Sequence, residues 1–95
     1  DRHKNSKHVF HIYSIKVKKR NSLLMYLQKN GIDAKIHYPV PMHLQPAAKK
    51  LKLNQKNLKN TEATSKKILS LPVHEFITFE QIKYVSKKIF NFYNI

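Results

Sequence analysis

Six histidines have the widest chemical reach in this chain: His3, His8, His11, His37, His43 and His74. An imidazole can ligate a metal, carry a proton or donate to an anion near neutral pH. A metal centre needs three or four donors converging on one point. On a strand, His8 and His11 would face opposite sides, and a proline turn separates His37 from His43 with no carboxylate or thiolate nearby in sequence to complete a set. A metal site is therefore not expected. The five acids are Asp1, Asp33, Glu62, Glu75 and Glu80. Glu62 and Glu80 sit where helices should start, and no two acids are spaced for a general acid/base pair. Gly31 is the one glycine, which rules out a glycine-rich phosphate loop, and no serine stands in a nucleophile-elbow context. No self-contained active site is expected.

The segment Gly31 to Pro46 is the most informative. Read plainly, it is a strand, a proline turn and solvent-facing histidines. Read functionally, it is a loop stiffened by Pro39 and Pro41 that presents His37, Tyr38 and His43 to a ligand held elsewhere, since a fixed backbone lowers the entropy lost in positioning polar groups. The residues alone leave these two readings nearly even.

The elements around this loop follow from periodicity and punctuation. His8 to Val17 is rich in β-branched and aromatic residues and predicts a central strand. Asn21 or Ser22 can cap a helix carrying Leu23, Leu24 and Leu27, which Asn30-Gly31 ends, with Ile32 folding back on Leu27. Asp33 to Tyr38 alternates Ala34, Ile36 and Tyr38 against Asp33, Lys35 and His37, a half-buried strand that Pro39 and Pro41 stop. Leu44 to Leu53 predicts a short helix after Pro46, and Gln55 to Asn60 a polar connection. A helix from Thr61, with Ile68 and Leu69 near its end, should run into a third strand, Ser70-Leu71-Pro72-Val73. Thr78-Phe79-Glu80-Gln81 is a capping box ahead of Ile82, Val85, Ile89 and Phe92, spaced as one face of a helix. The expected fold is α+β: residues 1–95 as one small domain, a two-layer sandwich with an antiparallel or mixed sheet of about three strands and three to four helices.

Composition bounds the rest. A chain of 95 residues buries only roughly 60–65% of its unfolded surface, but 41% hydrophobic residues suffice for a core. With no cysteine there is no disulfide or zinc-thiolate site, and a reducing, cytoplasmic setting is the simplest expectation. No apolar run approaches a membrane span. The formal charge of +14 suggests polyanions as partners. The lysines, however, are spread along the chain beside asparagines, the pattern of a solvated, lysine-biased surface. A stand-alone nucleic-acid-binding module would need aromatics on an exposed face beside cations. Phe10, Tyr13, Phe79, Tyr84 and Phe92 fall instead at positions expected to be core.

The run G-I-x-x-x-I-H-Y-P-x-P-x-H-L-Q-P from Gly31 to Pro46 resembles the signature near the C-terminus of the DegT/DnrJ/StrS family of pyridoxal-phosphate-dependent sugar aminotransferases. His8-Val9-Phe10-His11-Ile12-Tyr13 resembles that family's strand entering the small domain. Ile68 to Val73 followed by Thr78 to Ile82 resembles its end, so the likeness covers almost the whole chain. Glu75 departs from it, standing where a proline is expected, and the lysine content is atypical.

The resemblance implies that the chain is the C-terminal small domain of an enzyme that moves an amino group, usually from glutamate, onto a keto group of a nucleotide-linked sugar. It implies a homodimer with active sites near the subunit interface. His37, Tyr38 and His43 would then lie near cofactor and substrate, the two histidines ranking ahead of Tyr38, which points in the alternation toward the core. The cofactor-bearing lysine and most phosphate-binding groups would lie in a large N-terminal domain outside this chain, so the chain alone would bind no cofactor and catalyse nothing. A degenerate aminotransferase serving only as an interaction domain is a third reading. Surfaces that pack against an absent domain should leave apolar side chains open to solvent.

Overall fold

A computed structural model describes residues 4–51 and 58–95. Among these residues the order is β1 (Tyr13–Lys16), α1 (Arg20–Lys29), a 3-10 turn (Met42–Leu44), α2 (Pro46–Lys50), α3 (Lys59–Ser65), β2 (Ile68–Leu71) and α4 (Phe79–Tyr93). The architecture is α+β, as expected, with a smaller sheet. β1 and β2 pair antiparallel, with Tyr13 opposite Leu71, Ser14 opposite Ser70, Ile15 opposite Leu69 and Lys16 opposite Ile68.

The sheet is short because each expected strand finds only a short partner. β2 offers four residues, so the expected strand over His8 to Val17 reduces to Tyr13–Lys16. The expected strand Asp33 to Tyr38 contributes one antiparallel bridge, Lys35 to Ser70, on the other side of β2. β2 itself begins at Ile68, two residues earlier than its expected start at Ser70, and ends before Pro72, which has no N–H to donate to a ladder. Ile68 and Leu69 are therefore strand residues, and α3 ends ahead of them at Ser65.

α1 begins at Arg20, ahead of the expected caps Asn21 and Ser22, with Lys19 in the left-handed region (φ 49°) as its N-cap. The Arg20 guanidinium donates to the carbonyls of Ser65 (3.3 Å) and Ile68 (3.2 Å), tying the helix start to the α3–β2 junction. The end of α1 matches expectation. Gly31 N–H donates to Gln28 and Ile32 N–H to Leu27, the paired bonds that satisfy a helix's last carbonyls, with Gly31 at φ +74°. The expected helix after Pro46 is α2, with Pro46 in its first turn. Leu53 and Gln55 lie outside the described residues, and the last part of the expected polar connection, from Lys59, is the first turn of α3.

Tyr13 and Ile15 of β1 and Leu69 and Leu71 of β2 line one face of the sheet, which meets α1 and α4. Leu23, Leu27, Ile32, Ala34 and Leu69 form the buried core, with Ile36, Val85, Ile89 and Phe92 packed partly against it. Phe92 sits against Tyr26, ring centroids 5.4 Å apart. The opposite face carries Ser14, Ser70 and Ile68.

α4 starts as the capping box predicts: Gln81 N–H donates to Thr78 Oγ1 (3.2 Å), and Thr78 N–H donates to the Gln81 side chain (2.9 Å). Yet no residue of α4 is fully buried. Contrary to expectation Tyr13, Phe79 and Tyr84 are exposed, because only the Val85–Ile89–Phe92 stripe finds a surface to cover it. Apolar side chains are open to solvent, Val9, Phe76, Phe79, Ile82 and Phe90 among them. No helix among the described residues is long and apolar enough to cross a membrane.

Two outcomes follow from this scaffold. Thr78→Ala removes the reciprocal cap and lowers stability by about 1 kcal/mol in urea unfolding, with Thr78→Ser close to the parent. The Tyr93 hydroxyl donates to the Lys18 carbonyl, and burial raises its pKa from the ordinary 10.0. The unfolded chain therefore loses this proton first. The contribution is intact below pH 10.0 and falls as pH rises through the raised value, and Tyr93→Phe flattens that alkaline limb of a thermal-stability profile.

Candidate functional site

The His37–Gln45 loop lies beside the sheet face that carries Ser70 and Ile68. It leaves β2 at the Lys35 bridge, where Lys35 N–H donates to the Ser70 carbonyl (3.0 Å) and Ser70 N–H to the Lys35 carbonyl (2.8 Å). Beyond that bridge no ladder bond holds the alternation. Ala34 is buried and Ile36 packs on the core, but Tyr38, expected to share their side, is 69% exposed. The peptide bond between His37 and Tyr38 is cis.

Two prolines and a tight turn then set the path. Pro41 precedes the 3-10 turn with extended backbone, Leu44 N–H donates to the Pro41 carbonyl (2.9 Å), and the Gln45 amide reaches back to the Val40 carbonyl (3.1 Å). This brings His43 inward. It is only 8% exposed, with Nε2 3.1 Å from Oε1 of Glu62 in the first turn of α3. The same turn is braced by the Ser65 hydroxyl, which donates to the Glu62 carbonyl (2.9 Å). His37 is half-buried, its Nδ1 2.9 Å from the Ser70 hydroxyl and its ring edge-on to Tyr38 at 5.5 Å.

The three residues singled out from sequence therefore occupy three settings. Tyr38 lies on the surface and lines a cleft of about 640 Å³ with Val40, Met42, Thr61, Thr64 and Ile68. His37 meets Tyr38 edge-on, and His43 is held to α3, whose Thr61 and Thr64 also line the cleft. Neither imidazole lines the cleft itself. Of the other histidines, His8, His11 and His74 are exposed, and His3 lies outside the described residues. Among the described residues no three of His, Cys, Asp or Glu converge as a metal site would require.

Sequence reasoning missed two partners. Glu62 sits at the helix start, as its position predicts, but it also receives His43 from 19 residues away. Ser70 reads from sequence only as a strand residue, and it meets His37 across 33 residues. Nothing local in the sequence signals either pairing.

Residues 1–90 match the DegT/DnrJ/EryC1/StrS aminotransferase family profile. The chain belongs to this family. It is 41% identical over 86 residues to the pleiotropic regulatory protein of Geobacillus stearothermophilus, covering 90% of this chain and 23% of that protein. It is 35% identical over 65 residues to the dTDP-3-amino-3,4,6-trideoxy-alpha-D-glucose transaminase of Streptomyces venezuelae, covering 68% of this chain and 17% of that enzyme. A solved DegT/DnrJ/EryC1/StrS aminotransferase from Brucella abortus superposes with a TM-score of 0.76 at 32% identity, over 85% of this chain and 22% of that one. The chain thus spans about a fifth of the length of these relatives.

The described residues of this family member do not fit as an anchor for pyridoxal phosphate. A lysine that carries the cofactor must be desolvated enough to be a nucleophile. None of the described lysines is buried, and no described carboxylate is buried to face a pyridine nitrogen. No cofactor chemistry is assigned to these residues.

The His43–Glu62 contact has a measurable role in holding the loop. Glu62→Ala leaves a buried imidazole nitrogen without its acceptor and costs about 1–2 kcal/mol in urea unfolding. Glu62→Gln keeps an acceptor oxygen and loses less. Unchanged stability in Glu62→Ala would show that the contact carries no load.

Proposed function

We propose that this chain is the C-terminal small domain of a pyridoxal-phosphate-dependent aminotransferase acting on the keto carbon of a nucleotide-linked sugar, in the cytoplasm and in the supply of surface polysaccharide or glycan precursors. The observation that carries this reading is the family match over residues 1–90 in a chain spanning about a fifth of its relatives, one of which is named for a dTDP-sugar transamination. Cofactor, catalytic lysine and the homodimeric assembly belong to the larger protein, and the chain alone is inert.

Exposed apolar side chains support a cut domain: Phe79, Ile82 and Phe90 of α4 and Tyr38 and Met42 of the His37–Gln45 loop are open to solvent. Within that larger enzyme the loop lies on the cofactor and sugar-nucleotide side. Tyr38 and Met42 supply contact surface there, and His37 and His43 supply hydrogen-bonding groups behind it. A nucleotide sugar carries a diphosphate, and donors on a fixed backbone orient such a ligand at low entropic cost.

The nucleic-acid alternative gains exposed aromatics beside cations on α4. Lys83 lies 4.6 Å from the Phe79 ring centroid and Lys88 5.3 Å from that of Tyr84. Both pairs are a helical turn apart on one helix, the spacing at which neighbours on a surface helix meet in any case.

One experiment separates the readings. Pyridoxal phosphate, UDP-N-acetylglucosamine and dTDP-glucose are offered to the full-length protein and to this chain at two salt concentrations, with visible absorbance and calorimetry as readouts. The expected result is cofactor uptake and sugar-nucleotide binding by the full-length protein only, with His37→Ala weakening the second. Binding of single- or double-stranded nucleic acid by this chain with a steep salt dependence and a strand or sequence preference, and no ligand uptake by either protein, would replace the aminotransferase reading.

A further inference from the structure

Ser70 is an unusual occupant of its position. It sits mid-strand between Leu69 and Leu71, 5% exposed, where strand packing favours branched apolar side chains. A buried hydroxyl is tolerated when it is hydrogen-bonded, and this one has two partners. Its Oγ lies 2.9 Å from His37 Nδ1 and 3.2 Å from Ser14 Oγ. The backbone arrangement explains both contacts. The N–H and carbonyl of Ser70 are directed to Lys35, so Ser14 and Ser70 form a non-hydrogen-bonded pair between β1 and β2, the kind in which facing side chains come closest. Lys35, held by the same two bonds, fixes the main chain two residues before His37. The hydroxyl and the imidazole are thus brought together by one bridge.

We infer that Ser70, backed by Ser14, is a positioning residue for His37: it holds the imidazole through Nδ1 and leaves Nε2 to meet the ligand. A serine–histidine nucleophile is not what this arrangement offers. The hydroxyl is buried, and among the described residues no carboxylate is hydrogen-bonded to the His37 ring to support a base. A hydroxyl that both donates and accepts can instead hold one ring orientation, whichever ring nitrogen carries the proton. The inference rests on the proposed placement of His37 beside the sugar nucleotide.

The test uses the full-length protein with 15N-labelled histidine and dTDP-glucose as the probe. Ring-nitrogen resonances are assigned to His37 by their loss in His37→Asn. Ser70→Ala is expected to move the His37 Nδ1 signal and to weaken dTDP-glucose binding about five- to tenfold, the worth of one hydrogen bond. In a His37→Asn background it should weaken binding no further. Ser70→Thr, which keeps the hydroxyl, should restore both readouts, and Ser14→Ala, at an exposed position, should shift the same signal less. An unmoved His37 signal in Ser70→Ala, or losses that add to those of His37→Asn, overturns the positioning role. Wild-type affinity in His37→Asn overturns the placement of His37 at the ligand, and the inference with it, even where the ring signal moves.

Discussion

Ser70 directs its main-chain N–H and carbonyl to Lys35 while its neighbours Leu69 and Leu71 face Ile15 and Tyr13 of β1. A strand of four residues thereby joins two otherwise separate runs of chain, and the molecule's two sides diverge from it. On one side Leu69 closes the core formed with Leu23, Leu27, Ile32 and Ala34. On the other, the Lys35 bridge sets the point from which the His37–Gln45 loop departs. The core and the candidate site therefore share a single backbone constraint. Displacing β2 by one residue would exchange its two faces, pointing Ser70 into the core and Leu69 at His37.

Beyond the Lys35 bridge, the loop has restraints of its own. Pro39 and Pro41 restrict the backbone, the 3-10 turn closes through the Pro41 carbonyl, and the His43–Glu62 contact pins its middle to α3. Tyr38 and Met42 are left pointing outward from this rigid base. A surface built in this way loses little conformational entropy when something packs against it.

What could be read from the sequence was what depends on neighbours in sequence. The Thr78–Gln81 capping box and the Asn30-Gly31 stop act within one helical turn, and both appear as expected. The strands were legible in kind but not in extent, because the length of a strand is set by its partner. His8 to Ile12 has strand-forming composition yet no ladder in β2 to extend it, and Asp33 to Tyr38 keeps only the Lys35 bridge. Tyr38 followed the alternation on paper and left it where the ladder ended. The apolar residues of α4 have the right period for a core, but among the described residues only the Val85–Ile89–Phe92 side is covered, and Phe79 and Ile82 are exposed. Glu62 and Ser70 were hidden for a related reason. Their partners come from distant parts of the chain, and only the folded topology makes them neighbours.

Gly31 shows how narrow one requirement in this fold is. A methyl group added there would meet no atom within 4 Å, so the site has room to spare. What excludes an ordinary alanine is the sign of the backbone angle, φ +74°, and not any lack of space. The demand is purely chiral. The mirror-image alanine would occupy this position without strain, and by narrowing the choices of the unfolded chain would make the α1 turn firmer than the natural residue does.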